Sequence, residues 1–106
     1  VMPIDVDLSP NAPITENEQG RKQSAIDVRF DLLPAHSLFA IAGVLHRGAL
    51  KYGEGNWKGI ATDDHLNHAL THVFAYLAGD TQDDHLGHAA CRMLMAHEMA
   101  LTGEVE

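Results

Sequence analysis

The run "DDHLNHALTHVFAYLAGDTQDDHLGHAACRMLMAHEMALTG", residues 63–103, decides the fold. It reads as two helices around a short break. Thr62 or Asp63 caps the first, with acidic residues in its opening turn where the helix dipole favours them, and Gly79 ends it. The break is "GDTQD", residues 79–83. The second helix runs from about Asp84 to Thr102 and is closed by Gly103, since glycine readily takes the left-handed conformation that follows a helix. A connection that short makes the two helices antiparallel neighbours.

Working upstream, "GEGNWKGIAT", residues 53–62, holds three glycines and is a loop. Before it, Leu38, Ile41, Leu45, Ala49 and Tyr52 recur at helical spacing, behind a Pro34 suited to a first turn, and Gly53 stops that helix. Residues 1–25 contain Pro3, Pro10 and Pro13 and show no helical period. They are expected to form an extended or flexible arm, and residues 26–106 a single all-α domain. After Ala89 the last helix is apolar nearly all round, through Cys91, Met93, Leu94, Met95, Ala96, Met99 and Leu101. Such a helix needs cover on more than one side. The expected fold is therefore a helical hairpin with one preceding helix, assembling as a homo-oligomer with a four-helix-type core.

The 106 residues are enough for one domain, and a chain of this size buries roughly two-thirds of its unfolded surface. Asp and Glu number 15 against 7 Lys and Arg, a formal net charge of −8. That balance opposes binding to polymeric nucleic acid, which needs a basic face to displace counterions. A nucleotide ligand stays open, because a divalent metal supplies local positive charge. One cysteine, Cys91, excludes an internal disulfide and fits a reducing compartment; among Ala89, Ala90 and Met93 it reads as a small core residue. No apolar run approaches the roughly 20 residues that span a bilayer, and no secretion signal is visible. A cytoplasmic protein without membrane attachment is expected.

The hairpin is unusually rich in histidine. His65, His68, His72 and Tyr76 follow steps of three and four, so they share one stripe. Asp84, His85, His88 and Arg92 form a comparable stripe on the next helix. With the turn centred near residues 80–81, His72 falls level with His88 or Ala89, Tyr76 with Asp84 or His85, and His68 with Arg92. This would gather imidazoles and a carboxylate at the loop end of the hairpin, a known way to build a metal site. The candidate ligands are His72, Asp80, Asp84, His85 and His88, with Asp84 and His72 the candidate catalytic pair. Mixed nitrogen and oxygen donors suit Mn, Zn, Ni or Fe, while phosphate chemistry suits Mg or Mn. The plain alternative is that Asp83 and Asp84 only cap a helix.

The stretch "RGALKYGEGNWKG", residues 47–59, offers the other half of a site. Arg47 and Lys51 can contact phosphates, Asn56 can read a base edge, and the only tryptophan, Trp57, can stack on a base or plug the hairpin core.

Taken together, "RFDLLP" (29–34), "GALKYGEGNWKG" (48–59) and "LNHALTHVFAYLAGDTQDDHLGHAA" (66–90) resemble the phage-encoded MazG-like dATP/dGTP diphosphohydrolase family over about residues 29–100. The resemblance implies an all-α oligomer that uses a divalent metal, Mg or Mn, to hydrolyse a purine deoxynucleoside triphosphate to monophosphate and pyrophosphate. Position by position it points to Lys51, Tyr52, Asn56, Trp57, Asn67, His68, His72, Asp80, Asp84 and His85. The Glu-x-x-Glu helix pair of the broader MazG-like class has no counterpart in this sequence. A protein that binds nucleotides without cutting them would keep the loop and lose the carboxylates, which is the alternative reading.

Overall fold

The computed structural model describes residues 4–103, so the first three residues of the expected arm lie outside it. The chain divides into two compact units, Val1–Leu33 and Pro34–Glu106. The second unit carries three helices: α1 (Ala35–Tyr52), α2 (Thr62–Leu77) and α3 (His85–Thr102). These bounds lie within a residue or two of the expected ones.

The helix ends follow local chemistry. Pro34 is the N-cap of α1, one position before the expected first turn, and its carbonyl accepts the Leu38 amide at 3.1 Å. At the other end, the Gly53 amide donates to Ala49 at 2.9 Å. Helix α2 starts one residue earlier than its expected cap: Ala61 holds the N-cap position without a side-chain bond, and Asp63 and Asp64 occupy the first turn. The Asp84 carboxylate caps α3 by accepting the Gly87 amide at 3.0 Å. A Cβ at position 87 would overlap that carboxylate, so glycine makes room for the cap.

Helices α2 and α3 form the principal pair, and α1 lies against α3. The core is thin and built mostly from small side chains: Ala69 from α2, and Ala89, Cys91, Ala96 and Met99 from α3. Buried beside them are two imidazoles, His65 and His85. No residue of α1 is buried. Many large apolar side chains remain exposed, Phe39, Leu70, Phe74 and Leu77 among them. Among the described residues, no helix is long and apolar enough to cross a membrane.

In the first unit, the arm expected to be irregular contains a two-stranded antiparallel hairpin, β1 (Ile14–Glu16) with β2 (Lys22–Ser24). Ile14 pairs with Ser24 and Glu16 with Lys22. The Asn17 side chain organises the turn by accepting the amides of Gln19 at 3.0 Å and Arg21 at 2.9 Å. Every strand residue is exposed, so no inward–outward alternation exists to be read.

Candidate functional site

After α1 the chain leaves the helix at Gly53 and enters a 3-10 turn, Asn56–Gly59. Gly55 begins that turn with φ 72°, a left-handed conformation that favours glycine. The turn faces the end of α1 and the middle of α3, and the three segments enclose a cavity of about 700 Å³. Leu45, Ala49 and Tyr52, three residues of the apolar stripe of α1, form one wall. Arg47 and Lys51 join them from α1, and Arg92 enters from α3. Asn56 and Trp57 close the rim. Thus five of the residues expected to bind a nucleotide, Arg47, Lys51, Tyr52, Asn56 and Trp57, line one cavity. The other two, Asn67 and His68, are exposed on α2 and do not line it.

Trp57 is half-buried and meets the His65 ring edge-on, with centroids 6.4 Å apart at 67°. Lys58 lies over the indole at 5.8 Å, while Lys51 lies over Tyr52 at 5.0 Å. His65 Nε2 is 2.9 Å from the Trp57 carbonyl, and its Nδ1 is 3.2 Å from Arg92 Nη1. Arg92 therefore reaches His65 and not the expected His68. The expected register levelled Cα positions, and the long arginine side chain spans the extra turn, about 5.4 Å.

The second cluster sits at the loop end of the hairpin. His72 Nδ1 and His85 Nδ1 are 3.0 Å apart, and the other nitrogen of His85 donates to the Asp80 carboxylate. His88 stacks on His72, with centroids 5.0 Å apart at 18°, and its Nε2 lies 3.2 Å from Asp83 Oδ1. His88 also lines the cavity, so the cluster borders the pocket. Burial, followed by the neighbouring His88 and His85, holds the His72 imidazole below its ordinary range. The bond from His85 holds the Asp80 carboxyl below the usual carboxylate range, and the Asp84 amide does the same for Asp83. Burial pushes the Cys91 thiol up, in keeping with a core role and against a reactive thiolate.

The structure thus brings His72, His85 and His88 together, as the stripes implied. The carboxylate that joins them is Asp80 of the connecting turn, while Asp84, the stripes' carboxylate, accepts the Gly87 amide. The donors are engaged with one another. Among the described residues, no three His, Cys, Asp or Glu side chains are disposed to hold a metal ion. As they stand, these residues do not fit a protein-built metal centre. Two residues of consequence, Arg92 and His65, were visible only as members of stripes. Nothing in their spacing marked them as partners across the helix pair.

A three-helix unit with cations and aromatics around one cavity defines an all-α domain. The family described as dATP/dGTP diphosphohydrolase, N-terminal, matches residues 17–106, and the chain belongs to that family. No curated protein and no solved structure matches it.

Proposed function

We propose that the cavity binds a purine deoxynucleoside triphosphate, and that the protein hydrolyses it to monophosphate and pyrophosphate as a MazG-like, phage-encoded enzyme. One observation carries the reading. In a chain of net charge −8, two helices bring Arg47, Lys51 and Arg92 to the same cavity beside a half-buried Trp57. Guanidinium and ammonium groups offset phosphate charge, and an indole offers a face to a base. The family description supplies the same substrate class.

His88 is the imidazole of the histidine cluster that lines the cavity, and the Asp83 carboxylate beside it orients the ring. In this reading His88 accepts the proton of the attacking water, and His72 supports it by stacking from behind. Asp84 contributes by fixing the start of the helix that carries His85 and His88. The Mg or Mn expected from the sequence enters as the counter-ion of the triphosphate, since the protein donors are paired among themselves. The active form is a homo-oligomer, because the monomer leaves α1 without a buried residue.

The test is incubation with a panel of nucleotides and Mn²⁺ or Mg²⁺ while following pyrophosphate. Release from dATP or dGTP, lost in Arg92→Gln, is expected. The second reading is a nucleotide-binding protein of the same fold without hydrolysis, and one observation favours it: among the described residues, Glu54 is the only carboxylate lining the cavity. Saturable binding of dATP without pyrophosphate would establish that reading in place of ours.

A further inference from the structure

Among the described residues of the three-helix unit, His65 is the one with no exposed surface, and it is polar. Its ring stands between two parts of the cavity wall that belong to different elements. Nε2 faces the carbonyl of Trp57 at 2.9 Å. A carbonyl oxygen can only accept, so Nε2 carries a proton. Nδ1 faces Arg92 Nη1 at 3.2 Å. A guanidinium can only donate, so Nδ1 presents its lone pair. Both nitrogens are thereby committed, and the ring is the neutral Nε2–H tautomer.

We infer that His65 is a positioning residue that sets the Trp57 loop and the Arg92 guanidinium relative to each other, which makes Arg92 the pocket's buried-anchored phosphate contact. This rests on the reading of the cavity as a nucleotide site. Arg47 and Lys51 are exposed side chains on the last turns of α1. Arg92 is half-buried and held at its tip. An arginine whose guanidinium is already oriented loses less conformational freedom on meeting a phosphate than a free one does. Because the same imidazole holds the Trp57 carbonyl, the aromatic and cationic sides of the cavity are fixed by one ring.

The test is a double-mutant cycle on the full chain, with dATP and inorganic tripolyphosphate as probes. The variants are His65→Leu, His65→Gln, Arg92→Gln and the pair His65→Leu with Arg92→Gln. His65→Leu should weaken both probes by roughly tenfold or more, the usual scale for a hydrogen bond to a charged group. For tripolyphosphate, which has no base for Trp57 to stack on, the paired variant should bind no more weakly than Arg92→Gln alone, since residues that act through one contact are not additive. For dATP a further loss through the Trp57 loop is expected. His65→Gln should recover most of the affinity, because a carboxamide offers one donor and one acceptor. Additive losses for tripolyphosphate, or His65→Leu binding both probes as tightly as wild type, would overturn the inference.

Imidazole ¹⁵N spectra of the wild type decide the contact even where His65→Leu does not fold. A protonated Nε2, and an Nδ1 signal that moves in Arg92→Gln, are expected; a protonated Nδ1 or an unmoved signal overturns it. Wild type that binds neither probe overturns the pocket reading and Arg92's role in it, and the spectra still judge the His65 contact.

Discussion

At position 87 two preferences oppose each other. Alanine is a better helix former than glycine by roughly 0.5–1 kcal/mol. A Cβ there, however, displaces the Asp84 carboxylate from the Gly87 amide, and losing an N-cap costs about 1 kcal/mol. Gly87→Ala should therefore be neutral or destabilising in the wild type. In an Asp84→Ala background, where no cap is left to lose, the same change should stabilise. Melting temperatures of the four proteins check this reversal of sign. Asp84→Asn should stay within a few tenths of a kcal/mol of wild type, since asparagine also caps well. Adding Mn²⁺ without nucleotide should leave both melting temperatures unchanged.

Two further outcomes belong to single residues. His88→Gln should lower turnover of dATP by roughly a hundredfold or more, the usual contribution of a general base, with little change in binding. Trp57→Ala should weaken binding by about 1–3 kcal/mol if the indole stacks on the base. Titration calorimetry separates binding from turnover in both cases. The cavity residues of "RGALKYGEGNWKG" were legible because cations and an aromatic beside glycines are a chemical signal within one stretch. The contact between Arg92 and His65 was not, because it joins residues 27 positions apart through a side chain longer than the register allowed.

The hairpin of α2 and α3 titrates at its loop end. Burial and its imidazole neighbours hold the His72 pKa below its ordinary value, so the unfolded chain takes up that proton more readily than the folded one. The stability tied to a neutral His72 is thus complete above about pH 6.5 and is lost as pH falls through the lower folded value. Asp80, whose carboxyl is also held low, adds a separate loss at more acidic pH, below the carboxylate range. Urea midpoints should fall from pH 7.5 to 5.5, and His72→Gln should flatten that part of the profile. The helices themselves were readable from caps and period. The β1–β2 hairpin was not, since three-residue strands with every side chain exposed carry no pattern beyond the turn residues Asn17 and Gly20.

For the molecule as a whole, the exposed apolar side chains matter most. Leu70, Phe74 and Leu77 recur along α2, and Leu86, Met93, Leu94 and Leu101 along α3, all at least 44% exposed. Patches of this kind mark association surfaces. Light scattering at micromolar concentration should give a dimer or larger; a monomer that unfolds cooperatively would refute the oligomeric part of the proposal. The expectation of self-association starts from the apolar circumference of α3. Which faces would meet is not legible, because one sequence does not specify which apolar stripe pairs with its own copy.

The absence of any buried residue in α1 bears on how a ligand could enter. In a single chain, a helix held on one flank opens at low free energy, so under dilute conditions that favour the monomer its amide protons should exchange well before those of α2 and α3. Arg47, Lys51 and Tyr52 would leave the pocket whenever α1 lifts away, while Arg92 stays behind on the hairpin. Observed affinity would then be the intrinsic affinity scaled by the fraction of time α1 is docked. Any contact that clamps α1 would tighten binding without touching the ligand.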